Sequence, residues 1–331
     1  MAGRIAGRPS VFIQTEKKEM SSYRAIGCVI TLLCFGPIAR AQVTYTGTTS
    51  ADAFLATGSS NNPDGSDLTG LNFGAAGTLV VAPAASVKGE FQSVLKFSLS
   101  NAVAMFNTNY GAGNWTITGI SIELTSNYGT NGVQPNNAIF PMINSGNFII
   151  EWLSDDDWVE GTGTPNLPTT DGVTYDSLPG LLSDAHEILC TNTYTPPGNN
   201  VPVTYALPLN TNLVSDVAGG GDVTFLFSAA DSQIGYLFNS QNYGRGNEPL
   251  INITAALKAV QLEILSGYFT NGLFHLTGMG GTNLQYQVQA NSNLTTTNWQ
   301  TIGTVTADGV GMIRFDDTTA TNSQRFYRLS R

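Results

Sequence analysis

Five carboxylates and two tryptophans crowd into Glu151–Pro165, EWLSDDDWVEGTGTP. Two chemistries suit such a set. Paired carboxyl groups facing one glycosidic bond can act as acid and base in polysaccharide cleavage. Hard carboxylate oxygens can also hold calcium, with Asp155, Asp157 and Glu160 as the ligands within reach of this loop. The spacing departs from an Asp-x-Asp-x-Asp-Gly calcium loop, and contiguous Asp155–Asp157 cannot all face one ion. The adopted reading is therefore a solvated or salt-bridged acidic loop, with calcium and catalysis as alternatives. Trp152 and Trp158 are each a large apolar body with one donor, and are read as structural anchors. Glu160 is expected to fix the turn Gly161-Thr-Gly-Thr-Pro165 by accepting backbone N–H groups. Asn61–Asp67, NNPDGSD, is a second oxygen-rich loop.

Other reactive residues are few. His186 and His275 are the only histidines, too few for a histidine zinc site, and His186 has no G-x-S-x-G sequence near it to suggest a triad. Both are expected to face water. Cys190 lies in a mixed apolar stretch and reads as partly buried and inert. Gly219-Gly-Gly221 lacks the strand–helix frame and following lysine of a phosphate cradle, so it reads as a turn. Flat rings are what a sugar-binding surface needs. Tyr110, Tyr128 and Tyr243 each sit in an Asn-Tyr-Gly turn, where an exposed ring ringed by amides would suit a neutral glycan.

These residues must be carried by strands. Charged residues make up only 11% of the chain, against 36 glycines, a profile of turn-rich β-protein. Short runs of strand character recur at 42–56, 78–81, 91–99, 114–124, 148–152, 201–207, 223–228, 234–238 and 250–254. Ser100–Tyr110 reads as a short helix or crossover, and Asp184–Leu189 as a short helix with Ser183 as its N-cap. A second set of six or seven strands follows from 260 to 329, with Gly278–Thr282 and Asp308-Gly309 as turns. The expected fold is all-β: a jelly-roll-like antiparallel β-sandwich over 42–257, then a smaller immunoglobulin/fibronectin-like sandwich over 258–331.

Several of these pieces, in order, resemble the DNRLRE family of secreted modules similar to carbohydrate-binding modules. They are Ala51-Asp-Ala-Phe-Leu55, Asn72-Phe-Gly74, Leu95-Lys-Phe-Ser-Leu99, Trp158-Val-Glu-Gly-Thr-Gly-Thr-Pro165, Phe238-Asn-Ser-Gln241 and Glu248–Ile253. Ser98 stands where the family usually has Asp, and Gln241 where it has Arg. The resemblance implies the jelly-roll topology and a glycan-binding or structural role without catalysis. The segment from Tyr286 to Leu329 resembles a C-terminal module of secreted Verrucomicrobia-like proteins, which implies attachment or spacing.

The first 41 residues read as a secretory signal peptide. Lys17, Lys18 and Arg24 precede an apolar run from Ala25 to Phe35, and Ala39-Arg-Ala41 supplies a cleavage pattern; Met20 is an alternative start. The run is too short to span a bilayer, so no transmembrane anchor is expected after cleavage. Removing six Lys/Arg and two Glu leaves eight basic and twenty-two acidic residues, a net charge of −14. Such a surface disfavours nucleic acid and polyanions. Cys28 and Cys34 leave with the leader, so Cys190 has no intrachain partner. The expected product is an extracellular, non-enzymatic protein whose partner is a polysaccharide or a cell-surface component.

Overall fold

The computed structural model describes residues 12–16, 29–31, 42–60, 67–128, 137–258, 262–320 and 324–331. The Ala39–Ala41 pattern and all but Asp67 of the Asn61–Asp67 loop lie outside the described residues. The chain divides into two compact units. One comprises 42–106 and 117–255, and the other 107–116 and 256–331 together with the N-terminal 41 residues.

Two short N-terminal strands, β1 (Phe12–Glu16) and β2 (Val29–Thr31), pair antiparallel within the segment read as a leader. The larger unit is built on β3 (Gln42–Ala56), β4 (Thr78–Val81), β5 (Phe91–Ser98), β6 (Trp115–Thr125), β7 (Gly146–Leu153), β8 (His186–Tyr194), β9 (Pro202–Leu207), β10 (Asp222–Ala229), β11 (Tyr236–Asn239) and β12 (Leu250–Leu257). Eight of these form one sheet in the order β8-β7-β10-β5-β3-β12-β6-β9, and β11 pairs with β4 in a second, two-stranded sheet. Alternation explains the outer strands. In β6, for instance, Trp115, Ile117, Ile120, Ile122 and Leu124 are buried while Thr116 and Thr118 are exposed. Central β5 is buried from Phe91 to Phe97, on both faces: the sheet curls over one, and on the other Val94 packs with Trp158, Val173, Leu178 and Leu181. The curl brings Phe148 on β7 edge-on to Tyr205 on β9, 5.1 Å apart. Tyr236 on β11 stacks at 3.9 Å on Tyr194 of β8, so the small sheet closes the same core. The unit is an antiparallel all-β sandwich.

Helices are short. α1 (Ser100–Tyr110) takes the place of the expected helix or crossover. Asp184–Leu189 is not helical: a four-residue helix, α2 (Leu178–Leu181), lies upstream, and β8 opens at His186. Ser183 does not cap a helix start; its hydroxyl donates to the Gly180 carbonyl at 2.7 Å. Leu189 and Tyr194 face inward on β8, which is registered against β7. α3 (Thr211–Gly219) was not expected; Leu213 and Val217 are buried one turn apart, and Gly220, at φ 74°, ends it.

In the smaller unit, β13 (Glu263–Thr270), β14 (Leu273–Met279) and β17 (Met312–Asp317) form one sheet. β15 (Gln285–Asn291), β16 (Gln300–Thr306) and β18 (Gln324–Ser330) form the other, and β1 joins its β18 edge. Ile264, Phe274, Val288, Ile313, Tyr327 and Leu329 are buried between them, and Phe274 stacks on Tyr327 at 4.3 Å. No helix among the described residues is long and apolar enough to cross a membrane.

Candidate functional site

Five segments far apart in sequence meet in the larger unit: Asp52 on β3, the turn Asn72–Gly74, Lys96 on β5, the loop after β7, and the turn Ser240–Tyr243 after β11. At the base of the loop, Trp158 is buried. Its indole N–H donates to Thr224 Oγ1 at 3.0 Å, and the Lys96 ammonium lies 4.6 Å from its ring centroid. Lys96 is itself almost fully buried, and Nζ donates to the carbonyls of Asp156 (2.5 Å) and Trp158 (2.7 Å). A buried ammonium thus fixes the loop backbone. The Thr224 hydroxyl in turn donates to Asp156 Oδ1 at 2.6 Å. Burial pushes the Asp156 carboxyl up to about 6, opposed by the Thr224 bond and reinforced by the charges of Asp216 and Asp222. Trp152 is also buried and donates to Asp216 Oδ2 at 2.7 Å.

Asn72 holds the glycine-rich turn. Its Nδ2 donates to the carbonyls of Glu160 (2.6 Å) and Val173 (2.8 Å), and its Oδ1 accepts from the N–H groups of Gly74 (3.0 Å) and Gly163 (3.1 Å). All four bonding sites of one amide are therefore used. Gly163 is required by this approach, since a Cβ there would lie 1.8 Å from the Asn72 carbonyl oxygen. The role expected of Glu160 thus belongs to Asn72. Glu160 reaches across instead, its Oε1 accepting from Gln241 Nε2 (2.6 Å) and Asn242 Nδ2 (2.9 Å). Neutral amides face Glu160 because Gln241 stands at this position.

Asp52 lies beneath the same turn and is 0% exposed. Its Oδ2 accepts from the Gln241 N–H at 2.8 Å and from the Thr49 hydroxyl at 3.2 Å. Among the described residues its Oδ1 has no hydrogen-bond partner. Burial pushes this carboxyl up to about 7, a rise that the Gln241 bond moderates and the charge of Glu160 reinforces. Nothing in the sequence stretch Ala51-Asp-Ala marks this aspartate as buried; it is enclosed by contacts with Thr49 and the distant Gln241 turn.

The calcium set does not assemble. Asp155 Oδ1 accepts from the Asp157 N–H at 2.9 Å, the Asp157 side chain is exposed, and Glu160 is turned toward Gln241. Among the described residues no three His, Cys, Asp or Glu side chains are grouped so as to hold a metal ion. The tyrosines also part company. Tyr110 and Tyr128 are buried, not exposed; the Tyr128 hydroxyl accepts from Tyr194 at 3.1 Å within the aromatic core. Tyr110 closes α1 and Tyr128 follows β6, so both rings are carried into the core rather than on an exposed turn. Tyr243 alone of the three is half-exposed. Its hydroxyl lies 3.4 Å from Asn200 Oδ1, and the Arg245 guanidinium is 5.9 Å from its ring centroid.

Elsewhere, His186 Nδ1 meets Glu151 Oε1 at 2.5 Å on the β8–β7 edge, with the imidazole largely in solvent. His275 is more enclosed than expected, stacked on Tyr268 at 4.9 Å and bonded to Asp316 at 2.7 Å. Burial raises the Cys190 thiol pKa, which disfavours the reactive thiolate. In the smaller unit, Asn291, Asn293, Thr296, Asn298 and Gln300 help to line an open cavity of about 370 Å³.

Fold and site together define an all-β sandwich protein with a tightly hydrogen-bonded acidic loop in its larger unit. No family model matches the chain, and no curated protein matches it. Among solved structures there is a likeness to Ruminococcus gnavus Beta-glucuronidase at 6% identity, covering 84% of this chain and 39% of that one, with a TM-score of 0.19. The chain thus spans less than half the length of that protein, and a likeness at this score carries no argument.

Proposed function

We propose that the chain is a secreted, non-catalytic protein whose larger unit is a DNRLRE-type module that holds a neutral glycan at the end bearing Tyr243. The observation that carries this reading is the setting of Tyr243: a half-exposed ring whose hydroxyl meets the side-chain amide oxygen of Asn200 and whose face is approached by the Arg245 guanidinium. Neutral sugars offer C–H faces to a flat ring and hydroxyls to amides and carboxylates. The non-catalytic reading is supported by how the acidic loop uses its carboxylates. Asp155, Asp156 and Glu160 each accept hydrogen bonds from the protein itself, which suits a loop-fixing role better than an acid–base pair. Export rests on the leader pattern of the first 41 residues, and the smaller unit is read as an attachment or spacing module.

The burial of Tyr110 and Tyr128 favours a second reading, a structural component of the cell surface or extracellular matrix with no small ligand. Affinity electrophoresis of the full chain through gels containing neutral polysaccharides separates the two. Glycan binding predicts retardation that survives added salt and is lost in Tyr243→Ala. Free migration in every neutral polysaccharide would leave the structural reading standing.

A further inference from the structure

In the smaller unit, the sheet β16-β15-β18 has two unlike sides. β16 is mostly exposed or half-buried, and its pairing with β15 shifts register between Val288 and Gln289. A bulge of this kind keeps an outer strand from pairing further. β18 lacks such devices. It contains neither proline nor lysine, and its pairing with β15 runs unbroken from Gln287 opposite Ser330 to Asn291 opposite Phe326. Phe326 and Tyr327 point to opposite faces, and both are buried. That is the make-up of an interior strand. The neighbour on its far side is β1, from the other end of the sequence, paired antiparallel with Ile13 opposite Tyr327 and Glu16 opposite Gln324. The three-residue β2 then ends the sheet, and so short an edge is a poor template for more strands. Cleavage after Ala41 and a start at Met20 would each take β1 away.

We propose that the outer edge of β18 is a strand-acceptor site, filled by residues 12–16 in the full chain and by β18 of a second copy once they are gone. The loss of β1 rests on the export reading; nothing here rests on the glycan reading. Main-chain donors and acceptors along an uncovered edge are the common recognition surface of strand addition. Two copies of one strand satisfy each other antiparallel about a two-fold axis, the same sense of pairing that β1 has now. Charge favours this face for self-association. Residues 258–331 hold five basic and four acidic side chains, a net +1, whereas residues 42–257 hold three basic and eighteen acidic, a net −15. The two arginines of β18 are also engaged within the unit. Arg325 Nε lies 3.3 Å from Asp317 Oδ2, and Arg328 donates to Gln289 Oε1 at 2.6 Å with its guanidinium 4.6 Å from the Trp299 ring centroid.

Sedimentation velocity of the full chain and of the chain beginning at Gln42, from micromolar to millimolar concentration, tests the proposal. The full chain should stay monomeric, while the weight-average mass of the shorter form rises about twofold. Excess synthetic peptide Val11–Lys17, which competes for the same edge, should return the shorter form to the monomer mass. The full-chain variant Ile13→Pro/Gln14→Pro removes one N–H toward each neighbouring strand and should associate as the shorter form does. That variant decides the matter should the shorter form fail to fold. A shorter form that is monomeric throughout, a full chain that dimerises equally, or a dimer that excess peptide leaves intact would overturn the proposal. Peptide binding by a form that never dimerises would overturn the second copy as the occupant. The N-terminal residue of the exported product, read by mass spectrometry, judges the export reading separately.

Discussion

Trp158 gathers three kinds of interaction in one side chain: burial, an indole hydrogen bond to Thr224 and the Lys96 ammonium over its ring. Truncating it to alanine leaves a cavity and removes the cover from a buried cation, so Trp158→Ala should lose about 3–5 kcal/mol in chemical denaturation. An unchanged midpoint would mean that the ring is not packed in solution. Asn72→Ala tests the neighbouring node. It leaves two carbonyls and two N–H groups without the partners they now have, at about 1–3 kcal/mol for each that stays dry, so a loss of about 3 kcal/mol or more is expected. The two nodes differ in how visible they are in the sequence. A tryptophan beside a run of aspartates and a Gly-Thr-Gly turn is conspicuous. Asn72 is one asparagine among many, and three of its four bonds reach residues 88 to 101 positions away. Tyr110 and Tyr128 show the reverse failure: local spelling suggests an exposed turn, while both rings are drawn into the core.

At the scale of elements, alternation was informative wherever one face of a strand is wet, as in β6 and β15. It was silent for α3, whose apolar residues Leu213, Val214 and Val217 fill barely two turns and are followed by three glycines. It misled at Asp184–Leu189, where a strand on the outer edge of the sheet mixes exposed Ile188 with buried Leu189. The helix end offers a test. Gly220 closes α3 at φ 74°, and a Cβ there would meet Val103 Cγ2 at 2.8 Å. Gly220→Ala should therefore cost about 1–2 kcal/mol, whereas Gly219→Ala, which meets nothing within 4 Å, should be neutral or slightly stabilising. Equal melting temperatures for the two variants would show that the left-handed position is not required.

At the scale of the whole molecule, charge is divided unevenly between the two units. Residues 42–257 hold eighteen acidic and three basic side chains, while 258–331 hold four acidic and five basic. The first stretch therefore carries −15 and the second +1. Such one-sided charge opposes the compact state of the larger unit, because like charges are brought together on folding. Sodium chloride raised from about 10 mM to about 150 mM shortens the screening length from about 30 Å to about 8 Å, and should raise the unit's melting temperature. Calcium chloride at matched ionic strength should do no more, since the loop carboxylates are held by protein donors and no metal-holding group forms among the described residues. A thermal scan in each salt, with and without chelator, is the measurement. A rise specific to calcium and reversed by chelator would mean that an ion site forms that this arrangement does not supply, and would restore Asp155, Asp157 and Glu160 as ligands to be tested one by one.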